Sequence, residues 1–186
     1  KIHDIISGNK YRKLKYNLIK AKDLGFKGFL TFGGAYSNHI PAVAYAAKKH
    51  DFQSIGFIRG EELHNKYLNN PTLKYSSDLG MNLKFLSRDV YKSKNEESYL
   101  SELKKTYKDF YFLPEGGTNK LGVLGCQEIL SSKDEVFDYI CCSVGTGGTI
   151  SGLINSSLDS QKIIGFSSIN KKYLLNDISK FVIKKN

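Results

Sequence analysis

The chain has 186 residues, with 28 Lys or Arg against 18 Asp or Glu for a formal net charge of +10; 40% of it is hydrophobic and 25% charged. That balance fits one globular domain or two small ones and excludes collagen, a low-complexity chain and a disordered acidic tail. No stretch approaches the roughly 20 apolar residues of a membrane helix. No charged-then-apolar leader is visible, and without an initiator Met the natural N-terminus is expected upstream.

In chain order, short β-rich runs alternate with helical patterns. A helix is expected over 11–24, with Tyr11, Leu14, Leu18 and Ala21 on one face. A strand over 28–32 precedes a helix over 38–50, which carries Pro41 in its first turn, where a missing N–H costs little. A strand over 54–58 leads to a helix capped by Asn70, opened by Pro71 and stopped at Gly80. Then come a strand over 83–86, a helix over 96–107, a strand at Phe110–Leu113 and a helix over 119–131. The last elements are a strand over 138–143, a helix at Gly148–Ser156 and a strand at Lys162–Phe166. Such alternation predicts an α/β fold of parallel sheets in three layers, with helices on both faces. Ligands then bind at the carboxyl ends of the strands, so informative motifs should follow strands.

The net charge favours acidic partners, but the lysines are dispersed among apolar positions, as in Lys171, Lys172, Tyr173, Leu174 and Leu175. They read as a solvated surface, and no nucleic-acid-reading motif accompanies them. Cys126, Cys141 and Cys142 are odd in number and lack a C-x-x-C pair, so neither a disulfide framework nor a zinc site is expected. Cys141 and Cys142 lie in an apolar run and are expected to be small buried hydrophobes in a reducing cytoplasm. His3, His50 and His64 have no carboxylate or Cys at ligand spacing and are expected at the surface, leaving no metal site.

Three loops follow strands. In the first, Ser143, Val144, Gly145, Thr146, Gly147, Gly148 and Thr149 end a strand and open a helix. Glycines let backbone N–H groups converge on an anion, and the helix start adds partial positive charge. No Gly-Lys-Ser/Thr follows, and the sixth position from Gly145 is Ile150, so neither a P-loop nor a dinucleotide fingerprint is present. A monophosphate ester fits this loop better, although a ligand-free strand-to-helix turn has the same composition. In the second loop, Gly33 and Gly34 lead to Ser37, Asn38 and His39 at a helix start. These residues present hydroxyl, amide and imidazole groups together, yet on spacing alone they read rather as helix-capping residues, with His39 a hydrogen-bonded histidine beside the cap. The third loop is Pro114, Glu115, Gly116 and Gly117, which either approaches a ligand or simply turns the chain.

Four segments together resemble one family. Ser7, Gly8, Asn9 and Lys10 with Arg12, Lys13 and Leu14 resemble its cofactor-lysine motif. Gly33, Gly34, Ser37, Asn38 and His39 resemble its substrate-carboxylate loop, the segment 114–117 its next turn, and Gly145 to Thr149 its phosphate loop. The family is the 1-aminocyclopropane-1-carboxylate deaminase/D-cysteine desulfhydrase group of tryptophan-synthase-β-like (fold type II) pyridoxal-phosphate enzymes. The order and separation of the segments match over nearly the whole chain.

The resemblance implies pyridoxal 5′-phosphate as cofactor, in Schiff-base linkage to Lys10, a lysine that must act as its neutral amine. It implies that Gly145, Thr146, Gly147, Gly148 and Thr149 hold the phosphate and that Asn38 bonds the ring oxygen. It further implies that Ser37, Asn38 and His39 bind the substrate and that Ser37 has a catalytic role. The implied reaction converts a small amino acid into a 2-oxo acid and ammonia, with sulfide as well if the substrate is D-cysteine. Two domains are implied: a small one over 24–110, and a larger one from 1–23 plus 111–186. The family extends further at both ends, so the larger domain is expected to be incomplete here and the chain to self-associate or be marginally stable. A cytoplasmic homodimer, with no membrane or nucleic-acid partner, is the accompanying expectation. The alternatives are another fold type II activity (a β-substituted alanine synthase or a dehydratase) and a non-catalytic anion- or nucleic-acid-binding remnant.

Overall fold

A computed structural model of the chain describes residues 8–167 and 173–184; His3, Ser7, Lys171 and Lys172 lie outside them. Strands β1 (Gly28–Gly33), β2 (Gln53–Arg59), β3 (Asn82–Leu86) and β4 (Phe110–Leu113) form a parallel sheet in the order β3-β2-β1-β4. Leu30 lies in register with Ile55 on one side and Phe112 on the other. Every residue of β1 is buried, which is why it reads as an unbroken apolar run rather than as an alternation.

Helices cover both faces. On one face, α1 (Asn9–Asp23), α2 (His39–Lys49) and α3 (Pro71–Asp78) bring Leu14, Ile40, Val43 and Leu73 against Phe29, Ile58 and Leu113. On the other, α4 (Arg88–Lys92) and α5 (Glu97–Thr106) bring Tyr91, Tyr99 and Leu103 against Leu30, Phe32, Ile55 and Phe57. Phe32 stacks on Phe57 with ring centroids 5.2 Å apart and meets Tyr91 edge-on at 5.9 Å. The expected cap at Asn70 forms, its Oδ1 accepting the Leu73 N–H at 3.0 Å, and Gly80 ends the turn after α3 with φ 93°.

Beyond β4 the chain forms α6 (Lys120–Gln127), β5 (Tyr139–Ser143), α7 (Gly148–Ser156), β6 (Lys162–Phe166) and α8 (Leu174–Ser179), with β5 and β6 parallel. Val144, Ile150 and Ile178 form the core of this part. Helix α6 ties it to the first sheet by crossing α1 very closely. A Cβ on Gly125 would lie 2.0 Å from the Arg12 carbonyl oxygen. Beside that crossing, buried Asn17 donates to the Lys13 carbonyl at 2.7 Å and accepts from Tyr111 at 3.1 Å and Asn119 at 2.8 Å. One side chain thereby joins α1, β4 and α6.

The structure corrects three expectations and adds two short helices. Tyr11 is 40% exposed, because the buried stripe of α1 runs through Lys13, Leu14, Asn17 and Ala21, turning Tyr11 outward. Helix α6 stops at Gln127 rather than at 131, and the next residue, Glu128, is held by Arg12, Lys15 and Tyr16 of α1. Helices α4 and α8, of five and six residues, are too short to show a helical period in sequence. Cys141 is exposed and Cys142 half-buried, whereas Cys126 is buried. Alternation along β5 aims Cys142 at the core beneath α7 and Cys141 at the other face, beside exposed Tyr139 and Phe166.

Candidate active site

The chain runs from β1 through β2 to β3 on one side of β1, and β4 returns on the other. The crevice at such a reversal opens at the carboxyl ends of β1 and β4. The loops that leave those ends carry Ser37 and Asn38 after β1, and Glu115 and Gly116 after β4. They meet the loop after β5 and the first turn of α1 around a cavity of about 260 Å³. Lys10, Ser37, Asn38, Gly145, Thr146 and Thr149, all singled out in the sequence, face this one cavity.

Lys10 lies in the first turn of α1, which opens after Gly8 at φ 64°. Its Nζ is 3.4 Å from the Gly116 carbonyl oxygen, and burial lowers its pKa from the usual lysine value. Lys13, one helical turn on, is only 2% exposed and donates to the same carbonyl at 3.1 Å and to Thr118 Oγ1 at 3.1 Å. Burial, and secondarily the charge of Lys10, lowers the Lys13 pKa to about 7. Sequence reading placed Lys13 within the cofactor-lysine motif but gave it no role of its own; the available signal was its i,i+3 spacing from Lys10, which puts both amines on one face of a helix.

The glycine loop is built as an anion cradle. Gly147 takes a left-handed conformation (φ 86°) at the N-cap of α7, so the first N–H groups of that helix are left free of internal partners. A Cβ on Gly148 would lie 2.9 Å from Thr118 Oγ1 and 3.0 Å from Lys13 Nζ. The absent side chain therefore lets a hydroxyl and an amine pack directly against the helix terminus. Thr118 and Thr146 hydroxyls bond to each other, and Asn9 Nδ2 donates to Thr149 Oγ1 at 3.0 Å, locking α1 to the loop. These donors match the oxygens of a phosphate monoester.

Ser37 and Asn38 open α2. Asn38 is exposed and its side chain makes no capping bond; Ser37 Oγ instead accepts the His39 N–H at 3.3 Å. His39 is placed differently. Its ring is 1% exposed and lies behind the cavity wall, with Nε2 2.9 Å from Thr31 Oγ1. Thr31 donates its single hydroxyl proton to the Leu113 carbonyl at 2.8 Å, so Nε2 carries the ring proton. Nδ1 is then a buried acceptor without a hydrogen-bond partner among the described residues, facing Gly117 beside Lys13. Burial and the charges of Lys10 and Lys13 hold the imidazole neutral. Among the described residues, no group of three or more His, Cys, Asp or Glu is arranged to hold a metal ion. No helix among them is long and apolar enough to cross a membrane.

No family model matches the chain. It is 37% identical over 155 residues to a Thermotoga maritima protein named for 1-aminocyclopropane-1-carboxylate deaminase, an alignment covering 79% of this chain and 48% of that protein. It is 32% identical over 165 residues to the mitochondrial bifunctional D-cysteine desulfhydrase/1-aminocyclopropane-1-carboxylate deaminase of Arabidopsis thaliana, covering 80% of this chain and 41% of the relative. Among solved structures, it superposes on a crystal structure described as an ACC deaminase homologue with TM-score 0.77 and 28% identity, over 95% of this chain and 56% of that one. Serine racemase from Dictyostelium discoideum matches with TM-score 0.68 at 19% identity, over 95% of this chain and 56% of that one, a likeness of fold alone. The chain spans about half the length of the curated relatives it matches.

Proposed function

The chain belongs, over the segment it shares with these relatives, to the 1-aminocyclopropane-1-carboxylate deaminase/D-cysteine desulfhydrase family, and on that premise we propose that its cavity holds pyridoxal 5′-phosphate. The proposed activity is deamination of a small amino acid of the 1-aminocyclopropane-1-carboxylate or D-cysteine type, giving a 2-oxo acid and ammonia. The observation that carries this reading is the opposition, across one cavity of about 260 Å³, of a buried lysine and a glycine-lined helix N-terminus. Bound pyridoxal phosphate would supply an electron sink for the carbon next to the amino group.

The chain's own residues do the rest. Burial keeps the Lys10 amine ready to lose its proton, the state in which it is a nucleophile and a base. The N–H groups at the start of α7, with Thr146 and Thr149, receive the phosphate oxygens. Lys13 beside Gly148 supplies the compensating cation, and the arriving dianion favours its protonated form. The Asn38 amide, free of capping duty, is available to the ring oxygen. Ser37 and the N–H groups opening α2 hold the substrate carboxylate. His39 joins this proposal through its backbone and its fixed neutral ring, which stiffens the wall behind Lys13.

The same reading makes 24–110 a small domain and assigns 1–23 plus 111–186 to a larger one, although the four-stranded sheet itself includes β4 as far as Leu113. A cytoplasmic homodimer belongs to the same proposal. The test is incubation of the cofactor-loaded chain with 1-aminocyclopropane-1-carboxylate and with D-cysteine, assayed for 2-oxo acid, ammonia and sulfide. Product that disappears in Lys10→Ala supports the reading; no product from either substrate rejects the proposed activity.

A further inference from the structure

A second cleft, of about 800 Å³, lies on the outer side of the loop after β1 and shares Ser37 and Glu115 with the cavity around Lys10. Its charged groups are Arg59, Arg88, Lys92 and Lys94 against Glu62 and Glu115, a net cationic set. Both acids are already engaged. Glu62 takes Arg88 at 3.0 Å, while Glu115 accepts from Tyr91 at 2.8 Å and pairs with Lys94 at 3.5 Å. Lys92 is paired with Asp89 at 2.7 Å. Arg59 is different. It ends β2, one residue past the pairing of Gly33 with Ile58, and its guanidinium lies 4.0 Å from where a Cβ on Gly34 would sit. Among the described residues its side chain makes no hydrogen bond and no ion pair.

We propose that Arg59 extends this site, beyond the small amino acids named above, to amino acids whose side chain ends in an anion (a carboxylate, sulfonate or phosphate), and makes it prefer them to their amides. The inference rests on the function proposed above and names the class of substrate for that site. A substrate held by its α-carboxylate at Ser37 and the start of α2 stands at the junction of the two spaces. Its side-chain end then has the outer cleft before it. An arginine fork with no internal partner matches a two-oxygen anion in a way that a lone ammonium does not. Gly34 keeps the approach open, since any side chain there would stand in contact with the guanidinium.

The test uses isosteres on the cofactor-loaded full chain: aspartate against asparagine and glutamate against glutamine, in both stereochemical forms, with cysteate and O-phosphoserine as further anions. The readouts are the visible spectrum of the bound cofactor during titration and the thermal midpoint. We expect the anionic member of a pair to half-saturate at a concentration about tenfold or more below its amide, the range of one charge-assisted contact. Arg59→Gln should collapse that ratio toward one and Arg59→Glu should invert it; circular dichroism checks that both variants, altered at an exposed strand end, keep the fold. Equal binding of aspartate and asparagine by the unaltered chain overturns the proposal. So does an Arg59→Gln variant that weakens both equally, which would place Arg59 on the α-carboxylate. A spectrum moved by amides and acids alike rejects this inference alone; a spectrum moved by none of them, nor by 1-aminocyclopropane-1-carboxylate or D-cysteine, rejects both.

Discussion

Replacing Lys13 with Met should remove a steep dependence of stability on pH. In the folded chain the amine is 2% exposed and its pKa falls from 10.5 to about 7, chiefly through burial and then through the charge of Lys10. The unfolded chain returns it to the ordinary value, so between pH 7 and 10.5 the unfolded state binds the extra proton and stability rises with pH. Below pH 7 both states are protonated and the penalty is constant. The full shift corresponds to about 5 kcal/mol at about 1.4 kcal/mol per unit, and the interval from pH 8 to pH 10 carries about 2.5 kcal/mol of it. The assay is urea unfolding followed by far-ultraviolet circular dichroism at several pH values, since the chain has no Trp to report by fluorescence. Other groups also change protonation on unfolding as the pH rises, so the quantity to read is the unaltered chain minus Lys13→Met. A difference that grows by about 2.5 kcal/mol between pH 8 and 10 supports the argument. Parallel curves would refute it, because they would mean that Lys13 is paired or solvated rather than buried as a strained base.

Gly125→Ala should lower stability by about 1–3 kcal/mol in the same urea assay despite alanine's better helix propensity, because the new methyl would meet the Arg12 carbonyl across the α1–α6 crossing; an unchanged midpoint would mean that the helices separate freely. Asn17→Leu should cost at least about 2 kcal/mol, since it leaves the Tyr111 hydroxyl and Asn119 amide without a buried acceptor. The companion Tyr111→Phe should cost less, and equal losses would contradict the hub assigned to Asn17.

Strands β1 and β2 were legible in sequence because their positions are paired and buried on both faces, so that they read as plain apolar runs between polar or glycine boundaries. The strand-to-loop-to-helix context of Gly145 to Thr149 was legible because a short apolar run, covered on one face only, breaks at a cluster of glycines before a helical pattern. What sequence did not show follows from tertiary geometry. Helices α4 and α8 have no full period to detect, and α6 yields its last turn to the contacts Glu128 makes with α1. Lys13 stood in the motif without a role, because only the packing of the turn at Gly116 shows its amine buried. His39 shares its capping position with Ser37 and Asn38, but only the fold shows its ring directed into Thr31. Cys141 looked like a core residue because an apolar run does not say which face of a strand is covered.

The central claim is that Lys10 and the loop at Gly145 to Thr149 form one cofactor site. The most direct measurement is the visible absorption of the purified chain with pyridoxal 5′-phosphate, followed by borohydride reduction and peptide mapping. The account predicts a cofactor band that reduction bleaches, with the label trapped on Lys10 and lost in Lys10→Ala. Label scattered over surface lysines, or equally strong labelling of the Lys10→Ala variant, would contradict it.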